Sequence, residues 1–356
     1  MDGGAQSLVV APGRDAPLRQ FLRPFAEFLA RDGVTDLAIN RPGELWLESE
    51  TGWERFDAPF ANLRFIQDLV QLIATFAGQV CNEAHPLLSG TLPDGERVQL
   101  VVPPAVEPGL VSITIRKPSY VTKTPEQYDG GGLLDEVIEP VSELTPVETE
   151  LVDLRERKEY WGFFRRAVEE KMNIVISGAT GSGKTTFGKT IIEFIPPHER
   201  MITIEDAREI LLPKHPNAVN LLYSSTNSGA SKVDAKELLQ SCLRMKPSRI
   251  LLAEIRSKVA YDYIVNVSSG HPGSITTVHA GNCAEAIEML MMRMKESAEG
   301  QALTRPEIIG LLRAKVDVVI QLTVFERLDA ATSKVKKIRR ITEIYYQPKS
   351  KRDVLR

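Results

Sequence analysis

The 356-residue chain carries 44 Lys and Arg against 47 Asp and Glu, a formal net charge of -3. That length accommodates two domains, and 43% hydrophobic residues can fill their cores. The near balance of charge leaves no global basic field for nucleic acid, which weakens a helicase or DNA-translocase reading without excluding it. Cys81, Cys242 and Cys283 lie far apart with no C-x-x-C pair. They read as buried thiols of a reducing compartment rather than as a zinc, redox or disulfide framework. The N-terminus lacks the basic and long apolar regions of a signal peptide. No run approaches the ~18 apolar residues of a transmembrane helix. The expected location is therefore cytoplasmic, with any membrane contact peripheral.

Residues 1–17 are rich in Gly, Pro and Ala and read as a loose tail. Leu18–Ala30 has helical spacing of Leu and Phe, with Pro24 arguing for a kink or a late start. The runs DLAIN, ELWLESE and WERFDA, separated by RPG and TG turns, suggest a small meander. Asn62–Ala77 is an amphipathic helix with Asn62 as N-cap. Arg97–Val102 and Leu110–Arg116 read as strands, so 18–118 is expected to be an α+β domain. Residues 119–145 lack a sustained period and read as a long linker, with a short helix near Leu133–Ile138. Thr145, Pro146 and Glu148 then start a helical stretch that runs to about Lys171, broken near Lys158–Tyr160. From Asn173 the runs NIVIS, MITIE, AVNLLY, RILLAEI, SITTVHA and VDVVIQLTV alternate with helices, as in an α/β nucleotide-binding domain over 146–356. VKKIRRITEIYYQP looks like an edge strand or hairpin, followed by a basic, mobile tail, KSKRDVLR.

The stretch NIVISGATGSGKTT, 173–186, organises the rest. A strand, a G-x-x-x-x-G-K-T turn and a helix N-terminus follow one another as a phosphate-binding loop requires. Gly178, Gly181 and Gly183 can take positive φ and let backbone N–H groups close around an anion. The binding set is Gly178, Ala179, Thr180, Gly181, Ser182, Gly183, Lys184, Thr185 and Thr186. Lys184 can reach the β- and γ-phosphates, and the Thr185 hydroxyl can ligate Mg²⁺. The expected ligands are ATP and Mg²⁺.

A second strand should end in a carboxylate facing the phosphates, and Glu254, closing RILLAEI, fits as base or water-positioning group. Glu205, Asp206 and Glu209 follow another strand. They read either as a ligand-facing cluster, in which Glu205 and Asp206 join Thr185 and Glu254 as metal ligands, or as a capped, solvated turn. His271 and His279 bracket SITTV and read either as phosphate-side groups or as structural histidines.

With these residues assembled, the chain resembles the traffic ATPases of type II and type IV secretion, within the RecA-like P-loop class. GATGSGKT resembles their Walker A, TIEDARE their aspartate box, LRMKPSRILLAEIR their Walker B segment and SGHPGSITTVHA their histidine box. NRPGELW, LPDGERVQLVVPPA and VSITIRKP are similar to the type IV enzymes of conjugation and effector export. The absence of a four-cysteine module and the long linker favour that branch over type II secretion or type IV pilus ATPases. Ala253 stands where many relatives have Gly. The resemblance implies a homohexameric ring at the cytoplasmic face of the inner membrane, working with other secretion ATPases and inner-membrane components. The cargo stays open between DNA, effector proteins and pilin. It also implies that Arg97 and Arg116 serve as arginine-finger-like groups on the γ-phosphate, against the alternative of plain surface charges, with Glu209 and His279 on the same phosphate. Arg244 and Arg256 are further candidates for phosphate or subunit contacts.

Overall fold

The computed structural model describes residues 13, 15–118, 122–137, 143–224, 232–256, 258–267, 270–328 and 334–352. Those up to 118, with 232 and 233, form one compact unit, and those of 122–224 and 234–352 form another.

In the first unit, helix α1 (Ala16–Leu29) begins before Pro24 and runs through it. Proline removes one intrahelical hydrogen bond. Burial of Leu18, Phe25 and Phe28 on the same helix holds it in place. Strands β1 (Asp36–Ile39), β2 (Glu44–Ser49) and β3 (Gly52–Asp57) form the expected meander. Helix α2 (Leu63–Ala77) starts where Asn62 Oδ1 accepts the Phe65 N–H at 3.1 Å, and ends at Gly78 in the left-handed region. Strands β4 (Leu87–Thr91), β5 (Arg97–Val101) and β6 (Ser112–Arg116) complete an antiparallel sheet of order β3-β2-β1-β6-β5-β4. The sequence reading lacked β4, whose Ser89 and Gly90 interrupt its apolar run. Side chains of α1, α2 and the sheet share one core, including Phe25, Ile66, Leu69, Leu37 and Ile113.

The second unit opens with α3 (Pro125–Asp129), not with the helix expected near Leu133–Ile138. Thr124 caps α3 reciprocally with Gln127, and three glycines, Gly130 to Gly132, end it, leaving turns to 136. Ile138 lies outside the described residues. Helix α4 (Pro146–Glu156) starts at the predicted box: Glu148 donates its N–H to Thr145 Oγ1 at 3.2 Å, and Thr145 donates its N–H to Glu148 Oε2 at 2.8 Å. Helix α5 (Tyr160–Glu169) follows a break at Lys158, which has φ 61°.

There follow β7 (Ile174–Gly178), α6 (Lys184–Ile192), β8 (Met201–Glu205), β9 (Ala218–Leu222), α7 (Ala235–Cys242), β10 (Arg249–Leu252) and β11 (Ile275–Val278). Helices Cys283–Met294 and Arg305–Lys315 precede the long hairpin of β12 (Val318–Leu328) and β13 (Val335–Tyr346). The sheet order is β13-β12-β7-β11-β10-β8-β9, parallel except for the β12–β13 edge pair. Strand β7 is buried along its whole length. An uninterrupted Ile-Val-Ile run suits a parallel strand covered on both faces. The expected basic tail is in part ordered: Pro348–Arg352 is helical, and Lys351 pairs with Asp317. Residues 353–356, and the tail residues 1–12 and 14, lie outside the described residues.

Candidate nucleotide site

Strand β7 delivers the chain into the glycine loop, and the loop delivers it into α6. Gly183 caps α6 with φ 93°, a left-handed conformation that favours glycine. Gly178 is required for a different reason. Its φ of 159° is nearly extended, but a Cβ there would come within 2.5 Å of the Leu322 carbonyl oxygen on β12. Positive φ was expected at all three loop glycines and is found at Gly178, Gly181 and Gly183; at Gly178 the lack of space for a Cβ adds to it. Thr180 to Thr186 line a cavity of about 700 Å³ together with Phe187, Thr190, Glu254, Thr277, His279, Leu322 and Arg339. Gly178 and Ala179 close the loop from behind. Lys184 Nζ donates to their carbonyl oxygens at 2.7 and 3.1 Å.

The strand order sorts the other cavity residues. Because β11 and β10 succeed β7 on one side, the residues that follow those strands, His279 and Glu254, stand on the same flank of the loop. Thr277 Oγ1 donates to the Ala253 carbonyl at 2.8 Å and so fastens the end of β10 to β11. Lys184 Nζ lies 3.3 Å from His279 Nδ1. An ammonium only donates, so Nδ1 accepts and the ring hydrogen sits on Nε2. Nε2 faces Glu254 Oε1 at 3.4 Å. The other Glu254 oxygen accepts from Arg256 Nη2 at 2.7 Å, and Arg256 Nη1 reaches Asp206 Oδ2 at 2.5 Å. A series of close polar contacts, Lys184–His279–Glu254–Arg256–Asp206, thus leads from this cavity to the residues beside it. Burial lowers the Lys184 pKa from its ordinary value, and the Glu254 charge opposes that shift. The bond from Glu254 is the main reason that the Arg256 pKa is raised.

A smaller cavity of about 90 Å³ adjoins the first and shares Thr185, Glu254 and Thr277 with it. Asp206, Glu209 and Arg256 line this second space. Glu205 does not line either cavity. It is fully buried, and its oxygens accept from the N–H groups of Glu209 and Ile210, both at 2.8 Å, and from the Thr203 hydroxyl at 2.9 Å. Burial pushes its carboxyl above the ordinary value, against those amides. The end of β8 explains the split: all five strand residues through Glu205 are buried, and Asp206 is the first residue beyond it.

The two histidines also part. His271 sits at the opposite end of β11, with Nδ1 3.0 Å from the Pro247 carbonyl. Arg244 is exposed beyond α7, at the start of the β10 segment and away from the cavity lining. In the first unit, Arg97 and Arg116 are cross-strand partners of β5 and β6. Arg116 Nε donates to the buried Asp36 at 2.8 Å. Sequence reasoning missed Arg339. From β13 its Nε donates to the Gly181 carbonyl at 3.0 Å, 158 residues away.

The family model for "Type II/IV secretion system protein" matches residues 142–353. The chain belongs to this family. A type IV secretion system protein VirB11 of Brucella suis is 42% identical over 95% of this chain and 92% of its own length. One from Bartonella henselae is 40% identical over 94% of each. The crystal structure of the VirB11 ATPase from the Brucella suis type IV secretion system, in complex with sulphate, superimposes with a TM-score of 0.86 at 41% identity, covering 94% of this chain and 99% of that one. This family member is therefore a type IV secretion ATPase with the two-domain, RecA-like fold. No helix among its described residues is long and apolar enough to cross a membrane.

Proposed function

We propose that ATP hydrolysis takes place in the 700 Å³ cavity, with the roles that follow. The observation that carries the assignment is the run of close polar contacts at the glycine loop, a hydrogen bond from Lys184 to His279 and a 3.4 Å approach of His279 to Glu254. Loop amides from Gly181 to Thr186 and the N-terminus of α6 cradle the phosphates. Lys184 moves from the loop carbonyls to the β- and γ-phosphates. Glu254, held on one oxygen by Arg256, orients the attacking water with the other. His279, as the Nε2–H tautomer, joins the γ-phosphate side to Glu254, and Glu209 serves the same side from the adjoining cavity. Water adds to the γ-phosphorus as the bond to the β–γ bridging oxygen breaks, and ADP leaves with the negative charge.

Mg²⁺ fits the donors present. The Thr185 hydroxyl and the Asp206 and Glu254 carboxylates border two adjoining cavities. No cluster of three His, Cys, Asp or Glu suited to a metal occurs among the described residues. Such a set suits an ion held by one or two carboxylates and otherwise by water and phosphate. Thr185 would hold it, with Asp206 or Glu254, and it would neutralise developing phosphate charge. Glu205, with its oxygens engaged, fastens the turn that carries Asp206.

The working form is a homohexamer peripheral to the inner membrane, in company with other secretion ATPases and membrane components, moving DNA or protein cargo or building pili. The support is the four-motif resemblance. Arg97 and Arg116 are proposed as guanidinium donors to the transferring phosphoryl group, supported by their pairing on neighbouring strands. Turnover and mass by light scattering test the reading. Lys184→Ala should lose nucleotide binding, Glu254→Gln should bind ATP but turn it over far more slowly, and Arg116→Ala should bind but turn over poorly. A monomer under all nucleotide conditions, or wild-type turnover by Lys184→Ala, would remove it.

A further inference from the structure

The two flanks of the glycine loop differ in kind. On the β11 and β10 side stand His279 and Glu254, which belong to the hydrolytic end. On the other side β12 is the direct neighbour of β7, and β13 lies beyond it. That flank contributes Leu322 and Arg339 to the cavity. In the antiparallel register Arg339 is opposite Val324, and Leu322 is opposite Ile341. Directly opposed residues share a face, and alternation keeps residues two apart on that face. The register therefore explains why both Leu322 and Arg339 reach the loop. The Arg339 stem crosses the loop so closely that its Cδ is 3.1 Å from where a Gly183 Cβ would stand. Its Nε is committed to the Gly181 carbonyl. The guanidinium has four more N–H donors on its two Nη atoms, and these have no partner among the described residues.

We propose that Arg339 is a nucleotide-binding residue for the nucleoside end of ATP and ADP, offering its Nη groups to the α-phosphate and sugar. The inference rests on the nucleotide reading above. A nucleotide whose γ-phosphate faces His279 and Glu254 must direct its nucleoside away from them, toward the hairpin flank. A guanidinium anchored through Nε is preorganised, so little side-chain freedom is lost when phosphate binds. It holds the part of the substrate common to ATP and ADP, so it contributes equally to both.

The experiment measures ADP affinity by titration calorimetry and ATP turnover for the full chain, wild type against Arg339→Met and Arg339→Lys. Methionine keeps an apolar stem over Gly183 and removes the donors; lysine keeps the charge. The expected result is a loss of about tenfold in ADP affinity for Arg339→Met, the scale of one hydrogen bond to a charged group. KM for ATP should rise by a similar factor, kcat should stay nearly unchanged, and Arg339→Lys should fall between. Unchanged ADP affinity overturns the proposal, whether kcat stays or falls; a fall would place Arg339 at the γ-phosphate. Equal weakening by both variants, with the ligand-free thermal midpoint lowered in step, also overturns it, because the stem packing would then be responsible. Lys184→Ala separates the two readings. If that protein binds ADP as wild type does, the nucleotide site itself is misplaced, whatever Arg339 does.

Discussion

The two ends of the parallel sheet are made from the same residue types and behave oppositely. Where the strands begin, Arg249 at the start of β10 donates to both oxygens of Glu199 at 2.8 Å, and also to the Val168 carbonyl at 2.7 Å. Arg249 is 0% and Glu199 4% exposed. Nearby, Asn173 accepts the Gly273 and Ser274 N–H groups and gives its own N–H to Asp317, tying the loops before β7, β11 and β12 together. Where the strands end, Arg256 and Glu254 make a bond of similar length, 2.7 Å, but Arg256 is 49% exposed and faces a cavity. Length does not separate the two pairs; solvent does. A sealed pair cannot lose one member without stranding a charge, whereas a solvated pair contributes little and can exchange partners. One end of the sheet holds the fold and the other is free to do chemistry.

Breaking the sealed end should give the largest effect. Arg249→Met leaves Glu199 buried without its main partner and should cost about 3–5 kcal/mol in urea unfolding. Arg256→Met should cost under about 1 kcal/mol. Equal losses would erase the distinction between the ends. Glu254→Gln sharpens it from the other side. Turnover should fall by roughly 10²–10³, with the thermal midpoint within a few degrees of wild type and ADP binding retained. Gly178→Ala tests the junction between β7 and the loop. Its Cβ would press on the Leu322 carbonyl and on Ser182 Oγ, both at 2.5 Å. It should cost about 1–3 kcal/mol and weaken nucleotide binding together with stability.

What could be read in the sequence was local. The glycine loop, the Asn62 cap and the Thr145–Glu148 box each declare themselves within a few residues. Glu254 was legible because an apolar strand ending in an acid has few other uses once a phosphate loop is present. The histidines needed strand direction: in a parallel sheet only His279, after β11, can share the end where the loop lies. Glu205 and Asp206 are adjacent in sequence, yet β8 ends between them, burying one and leaving the other exposed. Arg339 was out of reach. Its run, VKKIRR, reads as a solvated basic edge, and only the β12–β13 register folds that edge back over Gly181. The helix expected near Leu133–Ile138 lies earlier, at Pro125–Asp129, where Thr124 and Gln127 cap each other.

The smallest effect concerns His215, near the sealed end. It is 1% exposed, and its Nε2 lies 3.1 Å from the Ile195 carbonyl, so that nitrogen carries the hydrogen and donates it. Burial lowers its pKa below the ordinary 6.5; the Ile195 carbonyl and the charges of Glu193 and Glu199 oppose the shift, and Arg249 adds to it. The unfolded chain therefore takes up a proton at higher pH than the folded one. Below 6.5 the unfolded state holds more protons, so the stability from neutral His215 is complete above that value and is lost as pH falls through the folded-state pKa. Glutamine at 215 can still donate to the carbonyl but does not titrate. Thermal midpoints of wild type and His215→Gln should differ by a constant amount above neutrality and converge as the solution is acidified below 6.5. Glu199, whose carboxyl is held below its ordinary 4.5 mainly by Arg249 against burial, would add its own loss only at lower pH, equally in both proteins. Parallel curves through the His215 window would show that the ring at this end of the sheet carries its proton without cost, and that the sealing there is looser than the bonding of Arg249 implies.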